Sequence, residues 1–222
     1  MINYARIVAN ITTIRKDAQN ILEIGSRDGN DAEKLRSLFE IPKDKVYLVE
    51  ANPDQVPKIK RAYPDANVFD FAISNKTGKT TFNKIKQGNN EVSIGRSSLM
   101  ERPEIYGDDS EKVEVHTQTG AYLLDQIKEE TIDLCKIDVE GHNFEVLESF
   151  GDDIHKIKTF HIECEHVAKW KGQKLYEVNK AYLESMGYTQ IMLMYVWGGT
   201  VQSDSVWARN DILKGREHFK QT

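Results

Sequence analysis

Short apolar runs alternate along this chain with longer stretches whose apolar residues fall three or four positions apart, a strand pattern exchanging with a helix pattern. The first 19 residues read as a helix. Strands are expected at 20–24 and 46–50 around a helix at 31–39, and a helix opened by Pro53 runs to about Tyr63. The run 67–73 reads as a third strand, and a turn at Gly78 leads to a short extra strand or hairpin arm at Thr80–Phe82. Val113–His116 alternates like a strand and 119–128 like a helix; Ile132–Asp138 is the fourth core strand, Phe144–Phe150 a short helix and Thr159–Cys164 the fifth core strand. A helix at 176–186 ends at Gly187, a strand follows at 188–194, and Ser205–Ala208 closes the sheet. Such alternation predicts an α/β fold with a mostly parallel sheet covered by helices on both faces. The polar, glycine-containing stretch 86–112 is too long for a plain connector and reads, with 165–180, as a loop shaping a ligand site.

The first strand runs into Glu23-Ile24-Gly25-Ser26-Arg27-Asp28-Gly29, and the second closes on Glu50. Glycines at 25 and 29 let the backbone turn sharply and come close to a ligand, which Asp28 can then face. A carboxylate at the end of the second strand is placed to accept hydrogen bonds from a ribose; its plainer reading is an exposed strand end.

Composition narrows the field. At 222 residues, 39% hydrophobic and 29% charged, the chain suits one α/β domain over 1–222. No apolar run reaches membrane-spanning length and no charged-then-apolar leader opens the chain, so a cytoplasmic protein is expected. A net charge of -5 disfavours a nucleic-acid partner. Cys135 and Cys164 lie inside apolar runs, where a free thiol behaves as a small buried hydrophobe.

The turn 23–29, Glu50-Ala51-Asn52-Pro53, Gly95-Arg96-Ser97-Ser98-Leu99 and above all Lys136-Ile137-Asp138-Val139-Glu140-Gly141 with Val146-Leu147 resemble the FkbM family of S-adenosylmethionine-dependent methyltransferases. The resemblance covers roughly 20–165, with Ser26-Arg27 departing from the family's usual turn. It implies a Rossmann-like class I methyltransferase with a seven-stranded sheet. It also implies that the turn including Gly25, Ser26 and Gly29 holds the amino-acid end of S-adenosylmethionine, with Glu23 or Asp28 near the ammonium group. By the same resemblance Glu50 takes the ribose diol, Asn52 sits beside the adenosine, Asp70, Phe71 and Ala72 border the adenine, and Asp138 lies near the reactive methyl; Ser97 and Ser98 read either as closing over the cofactor or as plain loop polarity. Many members methylate hydroxyls of sugars or other small polar metabolites, so the expected acceptor is a small molecule or glycan.

An alcohol acceptor must lose a proton, to a carboxylate, a histidine or a metal-bound alkoxide. Asp138, Glu140, His142, Glu163, Glu165 and His166 all fall at or just beyond the carboxyl ends of the fourth and fifth strands, where open α/β sheets bind ligands. Asp138 or Glu163 is the preferred base; Asp138 as a mere helix cap is the competing reading, and Glu140 reads as a cap or turn residue. No metal is required, but Mg²⁺ or Mn²⁺ held here would take Asp138, Glu163, Glu165 and His166. Trp170 and His161 read as packing residues. The alternatives are an NAD-dependent oxidoreductase, against which the missing Gly-x-Gly-x-x-Gly counts, and a non-catalytic cofactor-binding scaffold.

Overall fold

A computed structural model describes residues 18–86, 95–104, 109–196 and 199–213. The expected helix over the first 19 residues lies almost wholly outside them, as do parts of the 86–112 stretch. The elements are β1 (Ile21–Ile24), α1 (Asn30–Phe39), β2 (Val46–Val49), α2 (Val56–Ala62), β3 (Asn67–Phe69), β4 (Ala72–Ile73), β5 (Gly78–Ile85), β6 (Ser110–Gln118), α3 (Gly120–Gln126), β7 (Leu134–Ile137), α4 (Asn143–Ser149), β8 (Thr159–Glu165), α5 (Tyr176–Ser185), β9 (Tyr188–Tyr195) and β10 (Gln202–Arg209).

Seven strands form one sheet in the order β3-β2-β1-β7-β8-β10-β9. The first five run parallel, and β10 inserts antiparallel to both β8 and β9. The fully buried strands β1, β2 and β7 are the continuous apolar runs that a doubly covered parallel sheet requires. One face packs Leu22, Ile24, Ile137 and Phe160 against Leu123 of α3, Leu147 of α4 and Leu183 of α5; the other packs Ile21, Leu48 and Val206 against Leu35 of α1 and Ile59 of α2. Cys135 and Cys164 are free and buried in the first of these layers. No described helix is long and apolar enough to cross a membrane.

Two expectations change. The run 67–73 is not one strand: it leaves the main sheet after Phe69, whose carbonyl accepts from the Glu50 N–H at 3.0 Å, and Ala72–Ile73 instead pairs with β6. The hairpin arm at 80–82 is an eight-residue strand that pairs antiparallel with β6 over its whole length, so a second sheet, β4-β6-β5, stands beside the first. Residues 110–112 therefore belong to β6, and the 165–180 stretch begins inside β8 and ends inside α5.

Candidate active site

The turn after β1 is built on a close backbone crossing. Gly25 sits at φ +84°, and a Cβ there would stand 1.9 Å from the Asp138 carbonyl oxygen. Only glycine lets the carboxyl ends of β1 and β7 approach this closely. The Asp138 N–H donates to the Ile24 carbonyl at 3.0 Å, and the Gly25 and Ser26 N–H groups both donate to the Val49 carbonyl at 3.0 Å. Ser26 is buried; its hydroxyl reaches the carbonyls of Glu23 (3.0 Å) and Val49 (3.2 Å), so its side chain holds the turn. Gly29, also at positive φ, packs on Tyr63 and starts α1.

Glu50 is 6% exposed, which rules out the exposed strand end. Its carboxylate accepts the N–H of Arg27 and that of Asn52, both at 2.6 Å, and so joins the glycine turn to the segment after β2. Burial raises its pKa, while those N–H donors pull the other way. Asn52 is buried, and its side-chain oxygen accepts the Asp54 N–H at 3.0 Å.

Two cavities open at this sheet edge. A narrow slot of about 60 Å³ is bordered by Ile24, Val49, Phe71, Ala72 and Leu99, with Glu50, Asn52, Gln55 and His142 among its polar members. A wider cavity of about 620 Å³ holds Glu23, Ser26, Asp28, Asp138, Glu140 and Glu163. Gly25, Arg27, Gly95 and Asp138 line both, so Asp138 stands where the slot meets the wider space.

Lys136 organises the acidic side. It is 3% exposed, and its ammonium lies 3.0 Å from Asp138 Oδ2, 3.0 Å from Asp31 Oδ2 and 3.4 Å from Glu23 Oε1. Glu23 also accepts the Ala32 N–H at 3.2 Å; burial pushes its pKa up to about 8, against the pull of Lys136. Asp138 does not cap α4: the N-cap position is His142, which makes no side-chain capping bond. Asp138, Glu140 and Glu163 gather with carboxylate oxygens within 4.8 Å of one another. Burial and mutual repulsion hold both Glu140 and Glu163 well above the usual carboxylate range. Gln202 donates to the Glu163 carboxylate, and Asn143 donates to its carbonyl at 2.6 Å.

Glu140 is a turn residue, at φ +53°, but its carboxylate joins the group. Ser98 does not line the slot that its neighbours Ser97 and Leu99 border; it is buried and donates to the Glu140 carbonyl at 2.7 Å, holding that turn. The ligand set expected for a cation also changes, because Glu140 takes the place of Glu165 and His166. Glu165 accepts from Gln173, and burial raises its pKa to about 7. His166 follows Glu165 and so points to the opposite face, where its ring lies 4.6 Å from that of Tyr176 and 5.1 Å from that of Tyr195. Asp70 is also away from the slot: its side chain is 69% exposed and 3.8 Å from Lys60, while Phe71 and Ala72 turn inward. Asp28 is partly exposed, pairs with Arg27 at 3.3 Å and accepts the Asn30 N–H at 3.1 Å.

The sequence reading gave Lys136 and Gln202 no role. Lys136 was visible as the first residue of the Lys-Ile-Asp-Val-Glu-Gly block; Gln202 carried no signal, since it reaches Glu163 only through the antiparallel pairing of β10 with β8.

A slot that combines apolar side chains with the Glu50 carboxylate suits a nucleoside, and the wider cavity, lined by charged residues of both signs, suits a polar ligand. The methyltransferase FkbM domain model matches residues 23–189. Among curated proteins no sequence matches. Solved structures share the fold. The methyltransferase FkbM from Methylobacillus flagellatus KT aligns with TM-score 0.56 and 13% identity over 86% of this chain and 44% of that one, so this chain spans less than half of that protein. M. capricolum TrmK, in complex with S-adenosyl-homocysteine, aligns with TM-score 0.53 and 10% identity over 95% and 70%. Magnesium protoporphyrin IX methyltransferase (ChlM) from Synechocystis PCC 6803, with bound SAM, aligns with TM-score 0.52 and 8% identity over 92% and 77%. With three quarters of its length matched by one domain model, the chain belongs to the FkbM family of S-adenosylmethionine-dependent methyltransferases.

Proposed function

We propose that this enzyme transfers a methyl group to a hydroxyl of a small polar acceptor, a sugar or glycan, with Asp138 as the base. The observation that carries the reading is the position of Asp138 on the shared wall of the two cavities. S-adenosylmethionine, when bound, supplies a sulfonium methyl that is already electrophilic.

The slot residues Phe71, Ala72 and Asn52 would flank the adenosine and Glu50 would accept from the ribose. Asp28 and the backbone of Gly25 and Ser26 would meet the amino-acid end. Glu23 is committed to Lys136 and Ala32, which favours Asp28 for the ammonium. Holding two reactants in line contributes up to roughly 7–11 kcal/mol in favourable cases, so positioning is the larger part of the work.

The remaining part is a proton. Lys136 fixes one Asp138 oxygen at 3.0 Å and thereby orients the carboxylate. Glu163, shifted toward its neutral acid, is better suited to donate a hydrogen bond than to take a proton, so it orients the acceptor. The chain's net charge of -5 supports a small acceptor over a nucleic acid, and its free buried cysteines suit the cytoplasm.

The test is release of S-adenosylhomocysteine across a panel of hydroxylated acceptors, repeated with Asp138→Asn. The variant is expected to lose about 100-fold or more in kcat while binding S-adenosylhomocysteine within about threefold of the parent. Equal losses in turnover and in cofactor affinity would assign Asp138 to the cofactor site alone, and methylation confined to nitrogen acceptors would overturn the hydroxyl reading.

A further inference from the structure

The polar side chains of the narrow slot are committed to the protein, with one exception. Each carboxylate oxygen of Glu50 accepts a backbone N–H, and the oxygen of Asn52 accepts the Asp54 N–H, which leaves Asn52 only donors to offer a ligand. His142 turns its two ring nitrogens to Ser74 at 3.1 Å and Glu145 at 3.6 Å, neither of which borders the slot. Ser97 accepts the Ile85 N–H at 3.1 Å, Arg27 pairs with Asp28, and Asp138 is held by Lys136.

Gln55 is the exception. It lies just before α2 and is 7% exposed. Its backbone is spent locally: the N–H donates to the Asn52 carbonyl at 3.0 Å, and the carbonyl accepts the N–H groups of Lys58 at 2.9 Å and Ile59 at 3.0 Å. What Gln55 brings to the slot is therefore its carboxamide, which makes no hydrogen bond among the described residues. A carboxamide so buried and so unpaired is costly unless a ligand satisfies it. Around it Ala51, Ala72, Phe82 and Leu99 share one small apolar cluster and line the same slot, a surround suited to a flat ring. Asp70, the acid expected beside the adenine, stands outside, its side chain 69% exposed.

We infer that Gln55 reads the adenine of the cofactor: its oxygen accepts from the 6-amino group while its NH₂ group donates to a neighbouring ring nitrogen. This rests on the reading that places the adenosine in the slot, and it names the residue that makes the slot select adenine. An adenine edge presents a donor beside an acceptor, and among the slot's side chains a carboxamide with both of its groups uncommitted answers both. A purine without the 6-amino group leaves the Gln55 oxygen buried and unpaired, so selection comes from the cost of binding the wrong base.

The experiment is a calorimetric cycle with two ligands, S-adenosylhomocysteine and its 6-deamino analogue, in which hydrogen replaces the amino group at C6. The parent is expected to bind the analogue about tenfold or more weakly than S-adenosylhomocysteine. Gln55→Met, of similar length and without the amide, should bind S-adenosylhomocysteine about tenfold more weakly than the parent and separate the two ligands by less than about threefold. Gln55→Glu keeps the acceptor oxygen, so it should retain the preference for the amino ligand, and it serves if Gln55→Met does not fold. Equal binding of the two ligands by the parent overturns the inference. So does a Gln55→Met variant that binds both ligands more weakly but keeps the parent's ratio, since Gln55 would then only shape the slot, and so does a Gln55→Glu variant that loses the preference. A parent that fails to bind S-adenosylhomocysteine at all overturns the placing of the adenosine together with this inference, whereas binding without preference overturns this inference alone.

Discussion

Replacing Glu50 with glutamine removes one acceptor oxygen from a side chain of nearly the same shape. In the parent protein each carboxylate oxygen accepts a backbone N–H at 2.6 Å, from Arg27 on one side and Asn52 on the other. The amide of Glu50→Gln has one oxygen for two donors, and its NH₂ group must face the second. A buried N–H left without an acceptor costs about 1–3 kcal/mol. For a chain of this size each kcal/mol lowers Tm by roughly 2–4 °C, which gives a fall of about 2–12 °C in a thermal scan. The proposed ribose contact contributes separately. Loss of one hydrogen bond to a charged acceptor is worth about 1.5–3 kcal/mol, or roughly 10- to 150-fold in the Kd for S-adenosylhomocysteine by calorimetry. The two readouts together decide the role. A lower Tm with an unchanged Kd would leave Glu50 only the task of ordering the turn, and an unchanged Tm would contradict the hydrogen bonding on which the argument stands.

Gly25→Ala places a Cβ 1.9 Å from the Asp138 carbonyl oxygen at a left-handed backbone position, so stability should fall by about 3 kcal/mol or more in denaturant titrations; a loss under 1 kcal/mol would mean that β1 and β7 part easily. Glu23 has a folded pKa of about 8 against 4.5 when unfolded, so the native state binds the extra proton. Its contribution to stability is full below pH 4.5 and is lost as pH rises toward 8, with a slope of at most about 1.4 kcal/mol per pH unit. Glu23→Gln should flatten that slope in urea titrations across the range, and an unaltered slope would remove Glu23 as its source. His161 Nε2 lies 2.7 Å from Asp204 Oδ1, and both side chains are at most 3% exposed. His161→Ala should therefore leave a buried carboxylate without its partner and cost about 3–5 kcal/mol by denaturant unfolding; a loss under 1 kcal/mol would show that Asp204 finds another partner.

How much of this was legible in the sequence depends on how locally each feature is determined. The unit from β1 through α1 to β2 is set by residues close together in the chain: a buried apolar run, glycines that permit the turn, and helical spacing with Ala32 and Leu35 facing inward. Its boundaries fell within a residue or so of the expected ones. The second sheet is a different case. The first four residues of β5 are exposed, so the alternation that marks a half-buried strand is faint there. Its partner β6 begins 25 residues after β5 ends, and that pairing, with no local signal behind it, gives β5 its length. Likewise Asn67–Ile73 reads as one apolar run, yet the chain changes sheets at Asp70–Phe71, which explains why Asp70 turns outward while Phe71 and Ala72 border the slot.

The chemistry divides along the same line. Asp138 and Glu163 are strand-end residues whose placement follows from β7 and β8 lying side by side, and the sequence was enough to group them. Glu140 lies beyond the end of β7, where strand alternation no longer dictates which way a side chain points. Its direction is set by a positive φ that Ser98 and the Gly141 contact with Trp170 hold in place. Both of those supports come from segments distant in the chain. The contact between 95–104 and 169–173 has the same origin, since the two segments meet only in the folded protein. The turn proposed to hold the cofactor is therefore encoded by short-range pattern, whereas the far side of the wider cavity is assembled by long-range contacts between loops. Substitutions in those two segments can accordingly reshape the wider cavity while leaving the turn at Gly25 and the carboxylate of Glu50 intact.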